Sequence, residues 1–193
     1  MRELRETILR QGQCVGDSIV KVDMFLNHRL DTRLMFAMGR ELADYFGKDK
    51  PDIVLTVEAS GIALALAAAH FLDDIPVVFA KKSPAANQSA DMLTAVAHSF
   101  THGNDNALRV DRRYLPAGSR VLVVDDFLAD GEASRALISI VEQADCTLVG
   151  VGIAVEKGFQ PGGRKLREAG VNLKSLAIVT SIQDGRIQLA DDD

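Results

Sequence analysis

The stretch Val121-Leu-Val-Val-Asp125-Asp126-Phe-Leu-Ala129-Asp130-Gly131-Glu132-Ala133-Ser134 runs four apolar residues into a pair of carboxylates and then into a turn containing glycine. A short apolar run without polar alternation predicts a strand, Val121 to Val124, buried on both faces. Gly131 to Ala144 has the pattern of the helix that follows it. Ligands of open α/β sheets sit beyond the carboxyl ends of the strands, so the two acids stand where a site is expected. The turn that opens the helix presents unpaired backbone N–H groups at the positive end of the helix dipole, which suits Ala129 to Ser134 to a phosphate group. Ionised Asp accepts hydrogen bonds and a ribose has vicinal hydroxyls to donate them, so a phosphorylated ribose satisfies both halves of the segment. The same residues also allow a plainer account, in which the acids merely end a strand and Asp130 caps a helix.

Outward from this segment the alternation repeats. Thr147 to Val155 predicts the next strand; upstream, Ile53 to Val57 and Pro76 to Ala80 are strands flanking the loop Glu58-Ala59-Ser60-Gly61 and an alanine-rich helix, Ile62 to Leu72. Uniformly apolar strands alternating with helices predict an α/β fold, a parallel twisted sheet flanked by helices on both faces. Asp31 is placed to cap a helix whose Leu34, Met35, Met38, Leu42, Tyr45 and Phe46 share one face, with Gly47 closing it. Leu173 to Ile182, an Asp184-Gly185 turn and Ile187 to Leu189 predict a strand and hairpin. Lys82 to Gly103 is small and polar, with a short strand-like piece, Met92 to Ala97, and fits either a mobile lid or a plain surface loop.

The 193 residues are expected to form a single domain, 1–193. A net charge of −5 argues against a broad electrostatic grip on nucleic acid or anionic lipid, so any anion must be held in a local pocket. Cys14 and Cys146 form no disulfide or zinc pattern and read as reduced thiols. The charged, helix-patterned start is unlike a signal peptide, and the longest apolar run, Ile62 to Ala69, is far too short for a membrane span, so a cytoplasmic location is expected. His98 and His102 fall in a region patterned as strand or loop, and no metal site is expected there.

Four apolar residues, two acids, two apolar residues and a small-residue turn resemble the signature of the type I purine phosphoribosyltransferases. Lys21-Val-Asp-Met-Phe-Leu-Asn27-His28, Val77-Val-Phe-Ala-Lys81-Lys82, Leu93-Thr-Ala-Val, Ser99-Phe-Thr101 and Glu156-Lys157-Gly-Phe159-Gln-Pro161-Gly extend the likeness, and are similar to the bacterial branch that acts on xanthine. The resemblance implies a small hood built from about 1–30 and 156–189. It also implies transfer of the phosphoribosyl group of phosphoribosyl pyrophosphate to xanthine, with magnesium bound alongside that substrate, and a homodimer. It assigns the 5′-phosphate to Ala129, Asp130, Gly131, Glu132 and Ala133, with Ser134 added on physical grounds, and the ribose hydroxyls to Asp125 and Asp126. Ser60 and Gly61 match the pyrophosphate loop, and Lys81 and Lys82 could neutralise the leaving group. The base contacts map onto Val20, Asn27 and Lys157, and Phe159 is a candidate for stacking on the purine.

Two departures stand out. The phosphate turn carries Asp130, Glu132 and Ala133 where many relatives place threonine hydroxyls, and carboxylates facing a phosphate would repel it. Ala129 replaces an acid that hypoxanthine-guanine relatives use to exchange a proton with the base; xanthine, a comparatively acidic purine, could react as its anion. Guanine or hypoxanthine transfer and a non-catalytic phosphoribosyl pyrophosphate sensor are the competing readings.

Overall fold

The computed structural model describes residues 1–16, 18–83, 91–98 and 105–191. In chain order the elements are α1 (Arg2–Gln11), β1 (Gln13–Val15), β2 (Ile19–Lys21), α2 (Thr32–Phe46), β3 (Ile53–Val57), α3 (Gly61–His70), β4 (Val77–Ala80), β5 (Met92–His98), β6 (Asp105–Asp111), β7 (Arg120–Leu128), α4 (Glu132–Gln143), β8 (Thr147–Lys157), α5 (Gly162–Glu168), β9 (Leu173–Gln183) and β10 (Arg186–Leu189). A π-helical turn, Asp23–Asn27, leads from β2 toward α2.

The main sheet has the order β10-β9-β8-β7-β3-β4, parallel from β9 to β4, with β10 added antiparallel. The middle stretches of its central strands, Val121 to Val124 and Leu148 to Val155, are apolar because both faces are covered. Val54, Leu122 and Val124 pack into one core with α2 and α3, while Ile53, Leu55, Val57, Val121 and Val123 pack into a second with α4. Adjacent residues of a strand leave opposite faces, which is how one short run supplies both cores.

α2 starts as its sequence predicts: Asp31 accepts a hydrogen bond from the Leu34 N–H at 3.1 Å, and Gly47 follows the last turn. Two strands run further than their apolar cores. β7 continues to Leu128 because Phe127 and Leu128 pair with Val155 and Glu156 of β8, so Asp125 and Asp126 lie inside the strand rather than past its end. β8 likewise extends to Lys157 through its ladder with β9.

Among the C-terminal segments, β9 is a member of the main sheet, its parallel ladder with β8 running from Leu173 to Val179, and β10 adds to its edge. The N-terminal segments cap that edge. Leu4, Ile8, Val20, Val22, Phe25 and Leu26 share a continuous core with Met38, Leu42 and Ile187, and the Met1 ammonium donates to the Leu176 carbonyl at 2.6 Å. Of the polar insertion, β5 and β6 form an antiparallel pair, and Gln143 of α4 donates to the Thr94 carbonyl at 3.1 Å. The rest of Lys82 to Gly103, read from sequence as either a mobile lid or a plain surface loop, lies largely outside the described residues, as do the side chains of His98 and His102. No helix among the described residues is long and apolar enough to cross a membrane.

Candidate active site

A cavity of about 270 Å³ opens at the carboxyl ends of β3, β4 and β7. It is lined by Val57, Glu58 and Ser60, by Lys82 after β4, by Ala97 and Leu108 of the β5–β6 pair, and by every residue from Asp125 to Ser134. The parallel sheet brings these segments to one edge, as expected of an open α/β architecture.

The floor is the turn into α4. Gly131 has φ 84°, a left-handed conformation, and a Cβ there would lie 3.1 Å from the Gly162 Cα. The turn thus needs glycine for both its backbone and its packing. The free N–H groups of the first turn of α4, a twelve-residue helix, lie along the cavity wall with Ser134 buried beneath them. Both acids of the turn are engaged: Glu132 pairs with Arg135 one turn on, and Asp130 is close enough to Lys157 to favour that residue's charged form.

Asp125 and Asp126 are 4% and 7% exposed. Asp125 accepts from the Asp126 N–H at 3.0 Å. Burial first, and then the Asp126 carboxylate, hold its own carboxyl well above the ordinary range, with the Lys82 ammonium opposing. Asp126 accepts from the Asn27 amide at 3.4 Å, which joins a residue assigned to the base with one assigned to the ribose. Across the cavity, Glu58 accepts from the Lys82 N–H at 2.6 Å and ties the β3–α3 loop to the end of β4. Gly61 admits no side chain: a Cβ would lie 2.2 Å from Thr56 Oγ1 and 2.8 Å from Asp125 Oδ1.

Lys157 sits on the far side of the acids, with its ammonium donating to the Ser18 carbonyl at 3.3 Å and 5.9 Å from the centre of the Phe127 ring. Burial lowers its pKa from the ordinary lysine value, and Asp130 counters in part. Asn27 and Lys157 stand beside the cavity rather than among its lining residues. The Val20 side chain is buried in the core. Lys81 is held through its backbone, which exchanges hydrogen bonds with Arg109 at 2.9 and 3.0 Å, while Lys82 is the lysine that lines the cavity. Phe159 is 36% exposed and not among the lining residues.

Residues 26–184 match the family model described as the phosphoribosyl transferase domain. The chain belongs to this phosphoribosyl transferase family. Among its relatives, the xanthine phosphoribosyltransferase of Clostridioides difficile is 45% identical over 188 residues, covering 97% of this chain and 99% of the relative. That of Heliobacterium modesticaldum is 47% identical over 190 residues, covering 98% and 100%. The adenine phosphoribosyltransferase of Rhodothermus marinus superposes with a TM-score of 0.74 at 22% identity, covering 93% and 100% of the two chains, a likeness of fold.

Two lining residues of this phosphoribosyl transferase domain carry no motif of their own. Phe127 lies between the acids and the turn, half-buried under Lys157; its one sign in the sequence is the apolar Phe-Leu pair that prolongs the strand. Glu58 looks like one acid in a loop, and only the parallel pairing of β3 with β4 brings it to the Lys82 N–H. The site thus sets the acid pair, the first turn of α4 and Lys82 around one cavity, with the partly buried ammonium of Lys157 beside Phe127.

Proposed function

We propose that the chain transfers the 5-phosphoribosyl group of phosphoribosyl pyrophosphate to xanthine, giving xanthosine 5′-monophosphate and pyrophosphate. The observation that carries this reading is the run of Asp125 to Ser134 along one cavity wall with Lys157 and Asn27 meeting its acids from the side.

The N–H groups from Ala129 to Ser134 receive the 5′-phosphate, and Gly131 lets it approach the backbone. Asp126, aided by Asp125, accepts from the ribose hydroxyls. Ser60, Gly61 and Lys82 face the pyrophosphate, with Lys82 stabilising negative charge as it develops. Lys157 donates to a purine carbonyl, Asn27 reads a neighbouring edge through its amide, and Phe127 supports the ring. The bond from the sugar's anomeric carbon to pyrophosphate breaks, with its electron pair leaving on the pyrophosphate. A nitrogen of the xanthine anion then bonds to that carbon, its proton having gone to solvent. Alignment and charge stabilisation supply most of the rate.

Among the described residues no three His, Cys, Asp or Glu side chains converge as a metal site. Magnesium bound with phosphoribosyl pyrophosphate, as part of that substrate, would offset the diphosphate charge. We also infer a homodimer, for which sedimentation equilibrium is expected to give twice the mass of one chain; a monomer at micromolar concentration contradicts that.

The test is product formation with xanthine, guanine and hypoxanthine in parallel, for the wild type and Lys157→Ala. Xanthine is expected to have the highest kcat/KM, and loss of a charged hydrogen bond should lower it about 10- to 100-fold in the variant. Preference for guanine or hypoxanthine would change the base assignment. Binding of phosphoribosyl pyrophosphate without turnover on any base would make the chain a sensor.

A further inference from the structure

Behind the site lies a charged cluster with no place in the mechanism above. Glu156, the residue before Lys157 on β8, is 3% exposed. Its two carboxylate oxygens accept from the two terminal nitrogens of Arg167, each at 2.7 Å, and one also accepts from the Ser175 hydroxyl at 2.5 Å. Arg167 belongs to α5 and Ser175 to β9, so this carboxylate joins three elements. A bidentate fork fixes both distance and orientation, and a buried carboxylate cannot leave it without a large penalty.

The cluster reaches the ligand site by two routes. Neighbouring strand residues leave opposite faces, so holding Glu156 on the α5 side sets the position from which Lys157 points toward Phe127. The other route runs through the start of α5. The Gly162 N–H donates to the Ala129 carbonyl at 3.0 Å, and a Cβ on Gly162 would lie 2.3 Å from that oxygen and 2.6 Å from the Gly131 nitrogen. A Cβ on Gly163 would lie 1.9 Å from Glu156 Oε1 and 2.7 Å from Arg167 Nη1. The two glycines are therefore a spacer with the phosphate turn on one side and the ion pair on the other.

We propose that Glu156, Arg167 and Ser175 are positioning residues that hold the phosphate turn and the base-reading Lys157 in fixed register with each other. The proposal rests on the functional reading above, which assigns a phosphate to that turn and a base to Lys157. A shift of this cluster moves both ends of the site, whereas damage to a ligand contact affects the one substrate it touches.

The test is steady-state kinetics of Arg167→Lys and Ser175→Ala beside the wild type, with thermal melts of each. Arg167→Lys keeps a charge opposite Glu156 but loses the fork. It is expected to raise the KM of phosphoribosyl pyrophosphate and of xanthine together, each about tenfold, as follows when the groups that bind both ligands are displaced from register. Ser175→Ala is expected to shift both in the same direction by less. Unchanged KM values with only a lower Tm or less active protein overturn the proposal, since that is the mark of a merely structural ion pair; a rise confined to one substrate overturns it as well. Should Arg167→Lys fail to fold, Ser175→Ala decides by the same criteria. If the wild type has no turnover with xanthine, the functional reading fails separately, and calorimetric affinity for phosphoribosyl pyrophosphate in the wild type and Ser175→Ala decides the cluster's role. Weaker binding in the variant supports it; equal binding, or none in the wild type, overturns it.

Discussion

Burial, and after it the Asp126 carboxylate, push the Asp125 carboxyl well above the ordinary aspartate range, so the residue suits a ligand better than it suits the fold. The folded chain holds this proton more tightly than the unfolded chain, whose value is about 3.9. Stability from the neutral carboxyl is therefore complete below that pH and is lost as pH rises through the raised folded value. Asp125→Asn, of nearly the same shape and uncharged, is expected to melt above the wild type at pH 8, with the gap closing toward pH 4. It should also lower kcat/KM about tenfold by weakening the hydrogen bond to ribose. Melting curves across that range check the sign; a wild type that gains on the variant as pH rises would contradict the assigned burial. Stability given up at a ligand-facing residue is a common mark of function.

The turn into α4 is legible in the sequence because its parts are contiguous: an apolar strand, two acids, a small-residue turn and a helix start, all between Val121 and Ser134. The same holds for α2, whose cap, apolar face and closing glycine all lie between Asp31 and Gly47. Features made by distant pairing leave no such local mark. β7 outlasts its apolar run because β8 supplies a ladder for the acids, and the Asn27–Asp126 contact joins residues 99 positions apart. α5 gives little signal because it opens with two glycines, poor helix formers, and buries a single large apolar side chain, Leu166. Those glycines are explained only by the turn they abut. At this scale Gly131→Ala is the informative change. A left-handed φ of 84° costs an alanine roughly 1–2 kcal/mol, and the added methyl presses on Gly162. A Tm several degrees lower with a raised KM for phosphoribosyl pyrophosphate is expected from melts and kinetics on the same preparation. An unchanged KM would mean that the turn does not carry the phosphate.

Across the whole molecule, two cores lie on either side of one sheet, and the cavity opens at the carboxyl ends of β3, β4 and β7 between them. The N-terminal segments close the β10 side and carry Asn27, the β5–β6 pair stands against α4, and β3, β4 and β7 deliver the loops between. Under the proposed function a sugar phosphate lies in the middle, with a leaving group toward Lys82 and an acceptor toward Lys157. The central claim is thus a transfer between two bound partners, not hydrolysis and not passive binding. The most direct measurement quantifies, in one magnesium-containing mixture, the xanthine consumed, the xanthosine 5′-monophosphate formed and the pyrophosphate released. Equal amounts of all three, with no pyrophosphate when xanthine is omitted, are the expected result; pyrophosphate released at the same rate without a base, or no nucleotide formed at all, would contradict it.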